Sequence, residues 1–286
     1  MNIKIGTRKS PLALRQTQIV IDSIKEKIPE LNFEIVPIVT QGDKILNKPL
    51  ISFGGKGVFV SEFEESILNG NIDLAVHSAK DMPLNLHDKL DIVYIPQRSD
   101  YKDVLITKKG VTYSPTDKFV IGTGSIRRKY QINKIYPNAT FKDIRGNIGT
   151  RLEKLNNNQY DAIVLAYAGL ERMNILDDQY NFKIFNINEC ICAGCQGIIA
   201  VEGLKNSPIS RILSSAENSS ARISFEIERG IMKIINSGCH ECNGVCSSII
   251  GDIIYTNVLF PNGERKQFKS RTKEELFNQV KEFLYE

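Results

Sequence analysis

Residues 119–128 read FVIGTGSIRR, and this stretch decides the fold class. The apolar run at residues 119–122 predicts a buried strand. Gly122, at its end, and Gly124 predict a tight turn after the strand. Ser125 then stands where the N-cap of a helix is expected, and we predict that this helix continues to about Ile135. A strand that turns directly into a helix is the building unit of α/β proteins. The stretch therefore favours a sheet flanked by helices.

The same alternation extends toward both ends of the chain. Ser10 followed by Pro11 predicts an N-cap and a first helical residue, and that helix is expected to run to about Ile28. Further strands are predicted at residues 3–5, 33–39, 74–76, 93–95, 140–144 and 162–166. Further helices are predicted after Gly57 and at residues 151–156 and 168–173.

The pattern changes at two places, which suggests domain boundaries. Residues 101–118 contain Lys108-Lys109-Gly110 and are interpreted as a crossing between two α/β units. From residue 219 onward, a helix at 221–236, strands at 246–250 and 253–260 and a last helix from Thr272 indicate a small α+β domain. We therefore predict an α/β domain at residues 1–98 and 197–215, a basic α/β domain at 99–196, and an α+β domain at 216–286.

Composition and charge exclude several classes of protein. The 286 residues are 42% hydrophobic and 24% charged, which is typical of a globular chain and not of a disordered one. The net charge of +4 is too small to make a nucleic acid or an anionic membrane the expected partner. No apolar run approaches the ~18–20 residues of a membrane helix, and the first residues lack the apolar core of a secretory signal. We expect a cytoplasmic protein that binds neither membrane nor nucleic acid.

Two glycine-rich stretches resemble nucleotide-binding motifs, and neither fits. Near Gly54-Gly55-Lys56-Gly57, Leu50 occupies the position of the first P-loop glycine, and Gly57 occupies the position of its Ser or Thr. In residues 122–127, Arg127 occupies the third glycine position of the dinucleotide fingerprint. A nucleotide-dependent enzyme is therefore disfavoured.

Positive charge is concentrated in one part of the chain. Residues 120–175 hold nine Lys or Arg against four acids. Several arginines lie where a loop meets a helix, namely Arg127, Arg128, Arg145 and Arg151, and Arg8 has the same placement after the first strand. Arginine binds carboxylates in a bidentate manner, and helix N-termini add backbone donors. Any one of these arginines is equally well explained as a solvated surface residue, but their shared placement favours an anion-binding cleft.

Residues 76–81, with the sequence VHSAKD, follow a predicted buried strand without a turn signal. The Lys80 ammonium and the Asp81 carboxylate at the end of this strand can hold and polarise a ligand. The alternative is a local Lys80–Asp81 ion pair with His77 packed in the wall. Both interpretations stay open from the residues alone.

The six cysteines lie in two clusters, with spacings C-x-C-x-x-C and C-x-x-C-x-x-x-C. Such spacings supply part of a zinc or iron–sulfur site, but neither matches a complete run of four ligands. Reduced thiols are the alternative, since disulfides are not expected in a chain of this kind. The clusters are Cys190, Cys192 and Cys195, then Cys239, Cys242 and Cys246.

Eight stretches along the chain form an ordered set: GTRKSPLA at 6–13, GD at 42–43, GGKGVF at 54–59, AVHSAKD at 75–81, GTGSIRR at 122–128, RGNIGTR at 145–151, DAIVLA at 161–166 and AGL at 168–170. Through this ordered set the chain resembles, over nearly its whole length, the porphobilinogen deaminase (hydroxymethylbilane synthase) family. The resemblance implies two α/β domains like those of periplasmic binding proteins around a cleft, plus a small C-terminal α+β domain that carries a cysteine on a loop.

The same resemblance implies a transferase of haem and porphyrin biosynthesis. Its covalently bound dipyrromethane cofactor would be extended by four porphobilinogen molecules with loss of ammonia, and water would then release the linear tetrapyrrole. Each pyrrole carries an acetate and a propionate, which agrees with an arginine-rich cleft. The family is typically monomeric, so we expect a monomer. Porphobilinogen is the expected small-molecule partner.

The resemblance also assigns roles to individual residues. Cys239 would hold the cofactor by a thioether, and Asp81, which we expect to be buried, would stabilise positive charge and transfer protons, assisted by Lys80. The other cofactor-binding residues would be Ser125, Arg127, Arg128, Lys80, Asp81 and Arg145. The substrate-binding residues would be Arg8, Ser10, Arg145, Arg151, Arg172 and Lys56, the last in a loop with lid-like glycines.

Two departures from the family pattern both introduce cysteines. The family's Gln and Pro after the cofactor thiol are replaced by His240-Glu241-Cys242-Asn243-Gly244, and its Val-Gly-Gln-Gly has become Gly194-Cys195-Gln196-Gly197. We hypothesise that the clusters meet and bind a structural metal through Cys190, Cys192, Cys195, Cys242 and Cys246. Cys242 is also a rival of Cys239 for the cofactor. Two other functions stay open: a carboxylate-binding module without chemistry, and a degenerate paralogue with a metal- or redox-sensing cysteine cluster.

Overall fold

The structure is a computed structural model that describes residues 2–40, 60–176, 178–235 and 242–285. Two residues that were assigned roles from the sequence, Lys56 and Cys239, lie outside the described residues, as does the glycine-rich stretch 54–57. In chain order the elements are β1 (Asn2–Arg8), α1 (Pro11–Lys25), β2 (Asn32–Ile38), α2 (Ser61–Leu68), β3 (Leu74–Ser78), a 3-10 turn (Ala79–Asp81), β4 (Leu90–Tyr94), β5 (Asp103–Lys108), β6 (Val120–Gly122), α3 (Ile126–Asn133), β7 (Thr140–Lys142), α4 (Ile148–Asn156), β8 (Ala162–Ala166), α5 (Tyr167–Arg172), β9 (Tyr180–Ile184), β10 (Ile199–Leu204), α6 (Pro208–Ser214), α7 (Ser219–Ile234), β11 (Gly244–Ile250), β12 (Ile253–Leu259), β13 (Arg265–Ser270) and α8 (Lys273–Tyr285).

The chain divides into two compact units. The first comprises Met1–Arg98 and Ile198–Glu226, and the second comprises Ser99–Gly197 and Ile227–Glu286. Both units contain a five-stranded sheet with helices, and the second also contains a small antiparallel sheet with a helix. The predicted α/β class with a C-terminal α+β part is confirmed. The division into three domains at the predicted boundaries stays a prediction.

The first unit is built on a sheet with strand order β2-β1-β3-β10-β4. β1 pairs parallel with β2 and β3, whereas β10 runs antiparallel to both of its neighbours, β3 and β4. The Ser10 side chain caps α1 by accepting a hydrogen bond from the Ala13 N–H, as predicted, and Pro11 occupies the first turn. α1 places Val20, Ile21 and Ile24 against the sheet. It ends at Lys25, three residues before the predicted end.

The larger sheet of the second unit has the order β7-β6-β8-β5-β9. Strands β7, β6 and β8 are parallel, and β5 runs antiparallel to both β8 and β9. The prediction that residues 101–118 are a crossing was therefore wrong at β5, which is a buried strand of this sheet. The apolar run Val104–Leu105–Ile106 lies in this strand. The turn residues Lys108, Lys109 and Gly110 follow the run closely, and this turn signal led to the prediction of a crossing.

The C-terminal part of the second unit is the antiparallel sheet β11-β12-β13 with α8. α8 buries Leu276 and Val280, and the aromatic rings of Phe260, Phe268 and Phe283 contact one another beside it. This sheet packs on the rest of its unit through an apolar cluster that contains Ile191, Cys192, Cys246 and Leu259. Among the helices that the structure describes, none is long and apolar enough to cross a membrane.

Residues 190–197 form an irregular segment that reaches several parts of the second unit. Within this segment Cys195 adopts φ +62° and Gly197 adopts φ +85°. A Cβ atom at Gly197 would lie against the Ser99 carbonyl oxygen, and the Gly197 carbonyl itself accepts a hydrogen bond from the Ser99 N–H (3.2 Å). Gly197 is therefore required both for its backbone conformation and for the close approach of another backbone segment.

The substitution Gly197→Ala tests this close approach. We expect it to lower the free energy of unfolding by about 2–5 kcal/mol, because left-handed strain and a steric clash add together. Gly251→Ala is the matched control: its φ is +62°, but nothing lies within 4 Å of the new Cβ, so only about 1 kcal/mol should be lost. Urea unfolding followed by circular dichroism measures both. Equal losses in the two variants would contradict the close approach.

Candidate functional site

A cavity of about 120 Å³ in the first unit lies where β1 and β3 end. Arg8, Ser10, His77, Ser78 and Asp81 contribute to its wall. β1 and β3 are parallel neighbours, so their carboxyl ends meet at one edge of the sheet, where ligands of open α/β sheets bind. The structure thus brings together three residues that were predicted from two separate motifs: Arg8 and Ser10 from residues 6–13, and Asp81 from residues 75–81.

Three consecutive residues hold the end of β3 in place before Asp81. His77 Nε2 lies 3.1 Å from the buried Glu202 Oε2, and Ser78 Oγ exchanges hydrogen bonds with the Gln16 amide (3.0 and 3.1 Å). The Ala79 N–H donates to the Ile198 carbonyl (3.1 Å). Because each residue has a different partner, the 3-10 turn that carries Asp81 begins from a fixed position.

Asp81 itself is exposed, so the expectation of a buried carboxylate was wrong. It is the last residue of the 3-10 turn, and its side chain borders the cavity instead of packing in the core. Lys80 is half-buried in the same turn. A carboxylate in this position can contact a ligand in the cavity directly, and it does so without the free-energy cost of burying an unpaired charge.

In the second unit, β6 and β7 end at two capped helices. Ser125 accepts a hydrogen bond from the Arg128 N–H and caps α3, as predicted, and Asn147 caps α4 by accepting from the Thr150 N–H. Helix N-termini present unpaired backbone N–H groups, which favour anions nearby. The exposed Arg145 and the half-buried Arg151 lie beside the α4 cap, where Arg151 Nε donates to the Gly146 carbonyl (2.8 Å).

Arg127 and Arg128 lie deeper than their position in the motif suggests. Both are buried, and both bind the carboxylate of Asp103, which is wholly buried at the start of β5. Arg127 Nη1 is 2.7 Å from Asp103 Oδ2, while Arg128 Nε and Nη2 donate to Oδ1 at 3.0 and 2.7 Å. Gln196 Nε2 also donates to Oδ1 (2.9 Å). One acid therefore organises both predicted cofactor-binding arginines.

The electrostatics of this cluster follow from its contacts. Burial raises the pKa of Asp103, but the charges and hydrogen bonds of Arg127 and Arg128 outweigh burial, so its pKa lies well below the usual range. Burial lowers the pKa of Arg127, and the Asp103 charge outweighs that effect and raises it. With two guanidinium groups on one carboxylate, the cluster has a net charge of about +1. That excess charge can still attract a ligand carboxylate.

Arg172 lies at the end of α5 and is also buried. Its Nη2 donates to the Gly197 carbonyl (2.6 Å), so it is joined to the segment 190–197. Burial lowers the pKa of Arg172 to about 10, which leaves the guanidinium protonated at neutral pH.

Sequence reasoning missed Asp103 and Gln196, and also the buried acids Glu202 and Glu228. Asp103 directly precedes an apolar run, and Glu202 interrupts one (Ile199–Leu204). The available signal was an acid at the edge of a buried strand or inside one. Such an acid indicates a buried ion pair or hydrogen-bonded carboxylate, because a carboxylate is rarely buried unless it is paired. The signal does not identify the partner.

The cysteine clusters do meet, as hypothesised, but in apolar surroundings. Cys192 and Cys246 pack in one cluster with Ile191 and Leu259, and Cys242 borders it. Among the described cysteines none forms a disulfide. Across residues 2–40, 60–176, 178–235 and 242–285, no group of three or more His, Cys, Asp or Glu side chains could hold a metal ion. The hypothesis of a structural metal is therefore not supported.

The surroundings of Cys190 disfavour metal binding by this thiol. It is buried, and its Sγ lies 3.5 Å from Asp103 Oδ2 as a donor. Burial and the Asp103 charge raise the pKa of Cys190 to about 12. Metal binding requires the thiolate, which this environment disfavours.

The substitution Asp103→Asn tests the role of the buried acid. We expect it to lower the free energy of unfolding at pH 7 by about 3–5 kcal/mol, because two buried guanidinium groups lose their counter-charge. Asp143→Asn is the control: Asp143 also pairs with a cation, Lys129 (2.7 Å), but it is exposed and should contribute about 1 kcal/mol or less.

The stability difference between wild type and Asp103→Asn should also depend on pH. Since the folded-state pKa of Asp103 is depressed, its contribution is complete above the unfolded pKa of about 4 and decreases as the pH falls below that value. Urea unfolding of both proteins between pH 7 and pH 3 measures the difference. A difference that stays constant down to pH 3 would contradict an ionised, paired Asp103.

Comparisons with known proteins identify the family. The family model "Porphobilinogen deaminase, dipyromethane cofactor binding domain" matches residues 3–210. Proteins named porphobilinogen deaminase from Acetivibrio thermocellus, Clostridium novyi and Clostridioides difficile are 42%, 41% and 40% identical, and the alignments cover 94%, 88% and 93% of this chain and 91%, 85% and 89% of theirs.

Among solved structures, the periplasmic VFT2 domain of Bordetella pertussis BvgS is 15% identical with a TM-score of 0.43, and the match covers 80% of this chain and 92% of that chain. The substrate-binding protein of an amino acid ABC transporter is 14% identical with a TM-score of 0.37, covering 82% and 98%. The family model and the relatives lead to one conclusion: this chain belongs to the porphobilinogen deaminase family.

Proposed function

We propose that this chain condenses four porphobilinogen molecules head to tail onto an enzyme-bound dipyrromethane, releases ammonia at each step, and frees the linear tetrapyrrole by hydrolysis. The observation that carries the proposal is the cavity in which Asp81, Arg8 and Ser10 meet, within a chain whose residues 3–210 match the cofactor-binding model of this family. The alternatives, a carboxylate-binding module and a degenerate cysteine-based sensor, have no comparable support.

The residues present fit a polycarboxylated cofactor. Dipyrromethane carries acetate and propionate side chains, and the second unit offers cations and capped helix N-termini at the ends of β6 and β7. When bound, the cofactor supplies a nucleophilic pyrrole carbon on which the chain of rings is built. We propose that Ser125, Arg127, Arg128 and Arg145 hold its carboxylates, with Arg127 and Arg128 oriented by Asp103.

Cys239 is proposed as the cofactor thiol, and the support comes from the residues on either side of it. Ile235 at the end of α7 is buried, and Cys242 borders the cluster that joins the small sheet to the rest of the second unit. The charge of Arg127 acts on Cys242. Cys242, three residues after Cys239 in sequence, is therefore near Arg127, one of the proposed cofactor-binding arginines.

Asp81 is proposed as the catalytic carboxylate. As ammonia leaves porphobilinogen, positive charge develops on the pyrrole nitrogen, and a fixed carboxylate beside it lowers the barrier. The same carboxylate can hold the proton that moves during loss of ammonia and formation of the new carbon–carbon bond. Lys80, in the same turn, would assist by binding a ring carboxylate.

The substrate carboxylates would be bound by the remaining basic and polar residues. Arg8 and Ser10 border the cavity of the first unit, and Arg145 and Arg151 lie at the α4 cap of the second. Arg172 is proposed to act from its buried position, where it stays protonated at neutral pH. Lys56 is proposed as a further substrate-binding cation. Porphobilinogen is the proposed small-molecule partner.

Intact-mass spectrometry tests the attachment of the cofactor. We expect the purified protein to be heavier than its sequence by one dipyrromethane, because the thioether survives denaturation, and Cys239→Ser to have the unmodified mass. Cys242→Ser is the matched control and should keep the excess mass. Excess mass that disappears in Cys242→Ser and persists in Cys239→Ser would assign the thioether to Cys242 instead.

The substitution Asp81→Asn tests the catalytic carboxylate. We expect the cofactor to remain attached and the rate of porphobilinogen consumption to fall by at least about 100-fold, because the shape is kept and the charge is lost. Asp22→Asn is the control in the same unit; Asp22 is exposed on α1, and its hydrogen bond comes from Gln18. Wild-type turnover by Asp81→Asn would overturn the assigned role.

A further inference from the structure

A buried acid and a histidine lie beside the Asp81 cavity, and the family motif assigns the acid no role. His77 is on β3 and Glu202 on β10, and the strands pair antiparallel with Ala200 opposite His77 and Ala75 opposite Glu202. The two side chains are thus diagonal neighbours on one face of the sheet. His77 Nε2 lies 3.1 Å from Glu202 Oε2, and the side chains are 7% and 0% exposed.

The surroundings of this pair are mostly apolar. The face of the sheet that carries it belongs to the cluster of Phe63, Ile67, Ile72, Ala75 and Leu90. The Phe63 ring contacts the His77 ring edge-on, with 5.2 Å between centroids. Within the described part of the chain, the second carboxylate oxygen of Glu202, Oε1, has no hydrogen-bond partner.

Among the described residues, a second carboxylate, that of Glu64, lies close enough to Glu202 for their charges to interact. Burial raises the pKa of Glu64 on α2, and the Glu202 charge raises it further. Glu64 also accepts a hydrogen bond from the His87 N–H (3.3 Å), and the charges of His87 and His77 oppose the rise. Glu202 is wholly buried beside another carboxylate, and burying a charged group costs free energy. An apolar pair of similar volume would serve stability as well or better.

The position of the pair gives a reason for that cost. His77 borders the same cavity as Asp81, and only Ser78, Ala79 and Lys80 separate the two residues along the chain. Because a carboxylate oxygen only accepts, His77 Nε2 carries the proton that is shared with Glu202. Glu202 thereby fixes both the orientation of the imidazole and its tautomer, as a buried carboxylate does for a histidine in catalytic triads.

We propose that Glu202 is a positioning residue that acts through His77: it fixes the cavity wall beside Asp81 and keeps that wall negative while positive charge develops on the substrate. The inference rests on the proposed function, since it needs a cationic species beside Asp81. It extends that function because it assigns a role to Glu202 on the antiparallel strand β10. Glu202 is expected to affect the rate of the reaction and not the affinity for the substrate.

The substitution Glu202→Gln keeps the shape and an oxygen acceptor for His77 and removes the charge. We expect kcat to fall by about 10–100-fold, because the lost field acts on developing charge. KM should change by less than about threefold, because other side chains, Arg8 and Ser10 among them, bind the substrate carboxylates. The rate at which single pyrrole units are added, followed by intact mass after one equivalent of porphobilinogen, should fall with kcat.

Glu228→Gln is the matched control. Glu228 is also wholly buried, and it accepts hydrogen bonds from the Cys195 N–H and from the Ser247 N–H and Oγ (2.5, 2.7 and 2.8 Å), all within the second unit. This control loses a buried carboxylate that does not line the cavity, so kcat of the folded protein should stay within about twofold of wild type. Equal losses of kcat in the two variants would overturn the proposal.

Two further variants separate positioning from mere stability. If Glu202 acts through His77, the double variant His77→Gln/Glu202→Gln should be no slower than His77→Gln alone. If Glu202→Gln does not fold, the apolar double variant His77→Leu/Glu202→Met provides the test. It should unfold at or above the wild-type temperature, because no buried polar group is left unpaired, and it should still turn over at least about 10-fold more slowly.

The outcomes distinguish this inference from the function on which it rests. A wild-type protein that adds no pyrrole units would overturn the proposed function. A wild-type protein that adds them, with Glu202→Gln or the folded apolar variant at the wild-type rate, would overturn the role of Glu202 alone. A rise in KM at constant kcat would also overturn it, since it would indicate substrate affinity instead.

Discussion

The interaction on which most of the second unit depends is the binding of one buried carboxylate, Asp103, by two buried guanidinium groups. Asp103 begins β5, while Arg127 and Arg128 lie in the first turn of α3, so the interaction fixes a helix against the sheet. Removing Asp103 would leave two buried guanidinium groups without their counter-charge, which costs far more free energy than the interaction gains. The main effect of the interaction is therefore to fix the position of α3 against β5, and its net contribution to the free energy of unfolding is smaller.

The irregular segment 190–197 depends on this constraint at several points. Cys190 and Gln196 both contact Asp103, and Arg127 Nη1 donates to the Ile191 carbonyl (2.6 Å). The same segment then contacts the small sheet, since the Val245 N–H donates to the Cys192 carbonyl (3.1 Å). Four of the five described cysteines, namely Cys190, Cys192, Cys195 and Cys246, are thus buried within the second unit, where they contribute to packing.

Much of the fold follows from periodicity and caps alone. The strand–turn–helix order, the Ser10 and Ser125 caps and the α+β C-terminus were predicted because each depends on neighbouring residues in sequence. β5 was missed because the turn residues that follow it dominate the segment, and its buried partners are far away in sequence. The exposure of Asp81 was mispredicted for a similar reason: a motif identifies the residue, whereas its depth depends on the 3-10 turn that carries it.

The two five-stranded sheets share a feature that no local pattern reveals. In the orders β2-β1-β3-β10-β4 and β7-β6-β8-β5-β9, the fourth strand runs antiparallel to both neighbours. In both cases this strand carries a wholly buried acid, Glu202 or Asp103, which is bound by a basic side chain from elsewhere in its unit.

A strand inserted in this way is surrounded on both edges and both faces, so any acid on it must find its partner inside the protein. In the first sheet the partner, His77, precedes the turn that carries Asp81 and borders the cavity. In the second sheet the partners, Arg127 and Arg128, follow the cap of Ser125. Each inserted strand therefore places a fixed buried carboxylate against the basic residue or residues next to the functional loops. The buried acids Glu202 and Asp103, which the sequence motifs do not identify, thus orient basic residues that the motifs do identify.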